Sequence, residues 1–380
     1  MASLFDDDED DLSLDEQVAE IEAAEPVDFT PKSNPDLLGH EAVERGLLAD
    51  FNAGRLPHAL ILAGPSGIGK ATLAYRLAKF LLSVPTGQPQ TLHVSPSMPV
   101  FRRIVSGGHA DLLTVEREYD EKKDRLKNDI SVESVRRIAP FLRKTAAEGG
   151  WRVVIVDGAE HLNASGQNAL LKILEEPPAG VILILTTSRP GGLLPTVRSR
   201  CRLVQMDPLD TKTVESLLEK RAPGLSPRES AALSQLAEGS IGRALQYHLN
   251  DGVTLYASLL KVVETLPDLD LVLAHDMADK IGRSGAEASY DTARSIMTDW
   301  CARLARAEAR DGGVSDILPG DAQIFHKLFA LRPPRHFFRT WEKMSQLFSQ
   351  TESYNLDKRQ AILSAFLMLQ KPDYQGLNLS

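Results

Sequence analysis

The residues best suited to chemistry lie between Ile61 and Leu73: Ile-Leu-Ala-Gly-Pro-Ser-Gly-Ile-Gly-Lys-Ala-Thr-Leu. Gly64 and Gly69 stand five positions apart with Lys70 directly after, the spacing of a phosphate-cradling P-loop. Glycines suit such a loop because its N–H groups converge on phosphate oxygens where a Cβ would intrude. A helix that starts at the loop adds partial positive charge at the same place. The next position should carry a serine or threonine whose hydroxyl holds Mg²⁺, and here it is Ala71. Thr72 is not a simple replacement, because one step along a helix turns a side chain by about 100°. A carboxylate to orient the metal is available as Asp157, at the end of the apolar run Val153-Val154-Ile155-Val156. Gly64, Gly67, Gly69, Lys70, Thr72 and Asp157 are therefore the candidate nucleotide-binding residues. The set looks able to hold a phosphate and poorly equipped to cut one.

These residues need a scaffold, and the hydrophobic pattern supplies one. Short apolar runs at 59–63, 111–115, 152–156, 181–185 and 203–206 read as strands, and helical periodicity lies between them. Near-continuous apolar strands alternating with helices predict a parallel sheet covered on both faces. Amphipathic helices are expected over 37–52, 70–82, 131–142 (capped by Ser131) and 163–176 (stopped by Pro177-Pro178). Residues 83–108 read as a Pro-, Ser- and Gly-rich connection containing Phe101-Arg102-Arg103, and His93 and His109 as surface histidines. The charged run 119–129, with Lys122, Lys123, Arg125 and Lys127, reads as a solvated loop with a weaker DNA-contact reading. After Pro208 the strand signal fades. Ser226-Pro227-Arg228-Glu229 is a capping box, Ser240 can cap the next helix, and helical patterns continue to residue 370.

Composition bounds the class. The net charge of −9 is concentrated, because residues 1–30 hold twelve carboxylates and neither Lys nor Arg; beyond them 43 basic residues face 40 acidic ones. A body so mildly basic lacks the footprint of a protein that grips DNA alone. Two cysteines, Cys201 and Cys301, in no metal-ligand spacing point to a reducing, cytoplasmic setting. No signal-peptide pattern or membrane-length apolar run occurs, so a soluble intracellular protein without membrane contact is expected.

Longer strings carry a specific resemblance. Asn168-Ala169-Leu170-Leu171-Lys172 with Leu174-Glu175-Glu176-Pro177-Pro178, then Leu194-Pro195-Thr196-Val197 and Ser199-Arg200-Cys201, resemble the bacterial clamp-loader subunits of DNA polymerase III. Gly39-His40, Arg55-Leu56-Pro57-His58-Ala59 and Asn355-Leu356-Asp357 also match, so the likeness covers about residues 36–370. It implies an α/β fold: an AAA+ P-loop parallel-sheet domain (35–207) after an acidic, disordered tail (1–34). A small helical lid (208–250) and a helical oligomerisation collar (251–380) follow.

Within that family the resemblance implies DNA replication and the loading of a sliding clamp onto primed DNA. The implied partners are gamma/tau ATPase subunits and a delta subunit. Hydrolysing members carry a glutamate after the metal-orienting aspartate, where this chain has Gly158. They also carry a sensing arginine directly after Gly-Ser-x, where Gly239-Ser240-Ile241 is followed by Gly242 and then Arg243. With Ala71, these departures place the chain beside the delta prime members rather than the ATPases, as does the lack of a long carboxy-terminal extension. Glu160 as a displaced base is a minor reading. Arg200 matches the arginine that such subunits present to ATP on a neighbour, and Thr187 matches a phosphate-sensing residue of the degenerate nucleotide site. Without the family, Arg198, Arg200 and Arg202 would read as alternating surface residues.

The expectation is thus a subunit of a DNA-directed DNA polymerase complex that itself neither polymerises DNA nor hydrolyses ATP. It requires no cofactor, holds ATP or ADP at most weakly, and contains no zinc, since residues 83–110 have no cysteine. The rivals are an active gamma/tau-type ATPase and an unrelated P-loop kinase or NTPase.

Overall fold

A computed structural model describes residues 30–120, 125–148, 150–308, 316–331 and 334–370. The readings of residues 1–29 and of Lys122 and Lys123 lie outside the described residues.

Five parallel strands form the central sheet: β1 (Ala59–Ala63), β2 (Leu112–Val115), β5 (Arg152–Val156), β6 (Val181–Thr187) and β7 (Arg202–Gln205), in the order β2-β5-β6-β1-β7. β1, β5 and β6 are buried along their whole length. Alternation divides their side chains between two cores. Leu60, Leu62, Val153, Ile155, Ile182 and Ile184 face the helix Lys70–Leu82. Ile61, Val154, Val156, Leu183 and Leu185 face the helix Ala164–Glu175 and the short helices Val132–Arg136 and Ile138–Leu142. The α/β parallel-sheet expectation is met, and the reason is this two-sided cover.

Several local signals act as expected. Ser131 Oγ accepts the Ser134 N–H, Ser226 Oγ the Glu229 N–H and Ser240 Oγ the Arg243 N–H, each at a helix start. Others differ. Residues 83–108 are not all connection, because a helix spans Pro99–Val105. Pro99 sits in its first turn, and Val100, Phe101 and Ile104 are buried, so three apolar anchors outweigh the turn-rich composition around them. His109 is not at the surface: it is buried, and its Nδ1 accepts the Asp111 N–H at 3.2 Å. The charged run contains a two-residue hairpin, β3 (Tyr119–Asp120) with β4 (Arg125–Leu126), rather than loop alone.

Beyond β7 the described chain is helical: Thr211–Arg221, Pro227–Leu236, Ile241–Leu249, Gly252–Glu264, Leu271–Gly282, Glu287–Glu308, Asp321–Leu331, Pro334–Tyr354 and Lys358–Gln370. One apolar cluster runs through all of them, from Leu209 to Leu369. Polar ties reinforce it between Ile241–Leu249 and Glu287–Glu308: Tyr247 donates its hydroxyl to Ser295 at 2.9 Å, and Asn250 Nδ2 donates to Thr292 at 3.2 Å. Among the described residues, no helix is long and apolar enough to cross a membrane.

Candidate functional site

β1 and β6 are neighbours whose onward connections leave in opposite directions, β1 toward β2 at one edge of the sheet and β6 toward β7 at the other, so a crevice opens at the carboxyl ends of these strands. The cleft there has a volume of about 870 Å³. Gly67, Gly69, Lys70, Thr72, Asp157 and Thr187 line it, together with Ala71 and Gly158. Gly64 does not. It packs beneath β7, where a Cβ would stand 2.3 Å from the Met206 carbonyl oxygen. Its glycine therefore serves the closeness of strand and loop rather than the cradle itself.

The loop's lysine is buried, and its Nζ donates to the carbonyls of Gly64 at 2.8 Å and Pro65 at 2.6 Å. Burial lowers its pKa, while Glu160 and Asp157 act to raise it again. The aspartate is held from β6: Thr186 donates its hydroxyl to Asp157 Oδ1, and the same hydroxyl oxygen accepts the Gly158 N–H at 2.9 Å. Thr187 is fully buried and its Oγ1 accepts the Arg189 N–H at 3.1 Å, which ties up the strand end. Thr186, passed over in the sequence, is thus the residue that touches Asp157. An apolar strand ending in consecutive polar residues is signal enough for the pair but not for which member turns toward the neighbouring strand.

Glu160 sits on a single 3₁₀ turn and accepts both the Ser188 N–H, at 3.0 Å, and the Ser188 hydroxyl. Burial pushes its carboxyl up, but the Ser188 bonds carry it below the ordinary range. A carboxylate held ionised by its own protein donors is a poor base. Glu116 and Glu118, also missed from sequence, bring the carboxyls that line the cleft to four, and that of Glu116 is pushed up by burial and by Asp157.

Gly158 stands where the resemblance sets a glutamate, and its backbone suits a glycine. Its φ is 74°, in the left-handed region, and a Cβ there would lie 3.0 Å from the His161 ring. A residue with a side chain would be strained there by about 1–2 kcal/mol.

The helix Ile241–Leu249 closes one side of the cleft. Gly242 N–H donates to the Gly67 carbonyl at 2.9 Å, and a Cβ on Gly67, whose φ is 75°, would stand 2.3 Å from Ser240 Oγ. Ile241, Gly242 and Leu245 face the cleft, but Arg243 does not. Its guanidinium pairs with Asp299 at 2.8 Å, on the helix Glu287–Glu308. The arginine is thus turned toward the helical region and away from the cleft.

Arg200 is also apart from the cleft. It follows the short helix Pro195–Arg198, whose Val197 is fully buried against the sheet. The guanidinium donates from Nη1 to the Thr196 carbonyl at 3.0 Å and pairs through Nη2 with Glu175 at 2.9 Å. Arg202, two residues on, pairs with Asp50. Cys201 between them is half-buried, and burial pushes its thiol up to about 12, which makes it unreactive. Among the described residues, no cluster of His, Cys, Asp and Glu is arranged to hold a metal ion.

A family model described as DNA polymerase III, delta subunit, matches residues 39–210. DNA polymerase III subunit delta′ of Pseudomonas aeruginosa is 34% identical over 56% of this chain and 61% of its own length. The Escherichia coli subunit of the same name is 35% identical over 54% of this chain and 58% of its own. The gamma/tau subunit of Mycobacterium tuberculosis is 28% identical over 71% of this chain and 46% of its own. The chain thus spans about three fifths of the delta′ relatives it matches and under half of the gamma/tau one. Through its P-loop sheet and the residues that follow β7 as far as Asp210, the chain is similar to the delta and delta′ subunits of DNA polymerase III.

Proposed function

We propose that this chain is a delta prime-type subunit of the clamp loader, a non-hydrolysing member of the assembly that places a sliding clamp on primed DNA. Residues 35–207 are then its AAA+ domain, 208–250 its lid and 251–380 the collar that packs against gamma/tau and delta subunits. Gly64, Gly67, Gly69, Lys70, Thr72, Asp157 and Thr187 form a degenerate nucleotide site. Arg200 is presented to ATP on a neighbouring ATPase subunit, where a fixed, always-charged guanidinium stabilises charge on the transferring phosphoryl group.

The observation that carries the reading is the direction of Arg243. In the cleft of a hydrolysing member an arginine from this helix would meet the phosphates; here it is spent on Asp299, 2.8 Å away. Ala71 and Gly158 support the same conclusion, and the exposed position of Arg200 suits action on another chain.

The gamma/tau-type ATPase is the second reading, favoured by the longer stretch of this chain that aligns with those relatives. It requires Thr72, Glu160 and Arg243 to act from displaced positions, although Glu160 is engaged by Ser188 and Arg243 by Asp299.

Purified chain is expected to show no ATP turnover above background; turnover typical of an AAA+ enzyme sinks the reading. Reconstituted with ATPase partners, Arg200→Ala should reduce hydrolysis at the adjoining site by on the order of 10³ while the complex still assembles. Unchanged hydrolysis would reduce Arg200 to a surface arginine.

A further inference from the structure

The helix Ala164–Glu175 holds the arginine-bearing turn from both ends. In its first turn the buried Gln167 accepts the Leu194 N–H through Oε1 at 2.6 Å and donates Nε2 to the Leu162 carbonyl at 3.0 Å. This fixes the entry into Pro195–Arg198. At the helix's last residue, the Glu175 carboxylate lies 2.9 Å from Arg200 Nη2. Pro177 and Pro178 cannot continue a helix, so the stop is built into the sequence at this point. The carboxylate therefore coincides with the helix C-terminus, whose free carbonyls carry partial negative charge. Neither Gln167 nor Glu175 lines the cleft, so this arrangement belongs to no other described site.

We infer that Glu175 is a positioning residue for Arg200, a holster that keeps the guanidinium paired until a neighbour's triphosphate displaces it. The inference rests on the reading of Arg200 as an arginine acting on a second subunit. The Thr196 carbonyl accepts from the other edge of the guanidinium, through Nη1, a contact separate from Glu175 on Nη2. Release therefore costs only the ion pair, and that pair is exposed: the Arg200 and Glu175 side chains keep 36% and 50% of their surface in solvent. Exposed pairs are weak and screened by salt. A weak pair suits an interaction that must be exchanged for a charge-assisted bond to phosphate. Glu175 competes with phosphate in the ground state and in the transition state alike, so it acts on apparent affinity more than on turnover.

Two experiments test this. Phenylglyoxal modification of the isolated full chain, mapped by mass spectrometry, reads the pair directly. Glu175→Gln should raise the labelling rate of Arg200 by about two- to fivefold, the scale of an exposed ion pair, with Arg198 as internal reference. An unchanged rate at Arg200 overturns the inference whatever the partners do. In the reconstituted complex, Glu175→Gln should lower the apparent KM for ATP by about two- to fivefold, with a smaller change in kcat. The effect should shrink as salt rises, disappear in an Arg200→Ala background, and be reversed by Glu175→Asp. An unchanged KM, or a KM shift that survives Arg200→Ala, overturns the inference. Failure of the underlying reading looks different: Arg200→Ala alone would leave hydrolysis intact while the labelling result still decided the pair.

Discussion

Gly242→Ala separates helix propensity from tertiary contact, because the two predict opposite signs. Gly242 is the second residue of the helix Ile241–Leu249. An alanine in a helix interior is favoured over glycine by about 1 kcal/mol, with less gained near the start. The Cβ would meet Gly67 Cα at 2.9 Å and Gly67 O at 3.4 Å. Both are backbone atoms of the P-loop, so no rotamer change relieves the contact. Overpacking of this kind costs about 1–3 kcal/mol. Separating the elements also strains the bond from Gly242 N–H to the Gly67 carbonyl, worth about 1 kcal/mol. The net expectation is a loss of about 1–3 kcal/mol. Gly46→Ala is the control: it lies in the helix Glu41–Asn52 with nothing within 4 Å of its Cβ, so it should stabilise by about 0.5–1 kcal/mol. Urea unfolding followed by circular dichroism reads both as midpoint shifts at constant slope. If Gly242→Ala moves the midpoint upward as Gly46→Ala does, the docking of this helix on the P-loop is not as described.

Gly158→Glu, which places a carboxylate where the family resemblance expects one, should lower stability by about 1–2 kcal/mol through its left-handed backbone and leave turnover at background; measurable ATP hydrolysis would contradict this. Asp299 gives a pH signature. Burial pushes its carboxyl up to about 6 against the opposing pull of Arg243. The folded state thus binds a proton that the unfolded chain releases near 3.8, so this contribution is full below that pH and is lost as pH rises through about 6. Asp299→Asn should flatten stability between pH 4 and 6.5 by about 1–3 kcal/mol, and an unaltered pH profile refutes the assignment. Removing the cap with Ser226→Ala should cost about 1 kcal/mol in the same unfolding assay, while no change would mean that the Glu229 N–H finds another acceptor.

The elements were largely legible because the signals for them are local. β1 and β5 follow from runs of four or five apolar residues, and helix starts at Ser131, Ser226 and Ser240 from side chains that bond N–H groups three residues on. The short helix Pro99–Val105 was missed because its anchors, Phe101 and Ile104, gain their stability from the sheet-covering core and not from a repeating pattern of their own. His109 was misplaced for a related reason. Nothing local marks a histidine for burial when its acceptor duty is to a backbone N–H in the following turn.

The candidate site divides along the same line. Sequence alone determined that a strand, a glycine loop and a helix meet at Lys70, and that Ala71 stands where such a loop carries a hydroxyl. Residue identity and spacing suffice for those statements, whereas the significance of Gly158 and of the place of Arg243 came from the resemblance to a family. Directions and partners were decided only by tertiary structure. Thr186 rather than Thr187 meets Asp157, Ser188 holds Glu160, Arg243 turns to Asp299, and Arg200 rests on Glu175. Each of these joins elements that are distant in the chain, and a side chain's direction depends on what the neighbouring element leaves open to it. The composition of the site is therefore written locally, whereas its orientation emerges only when the sheet and helices have packed.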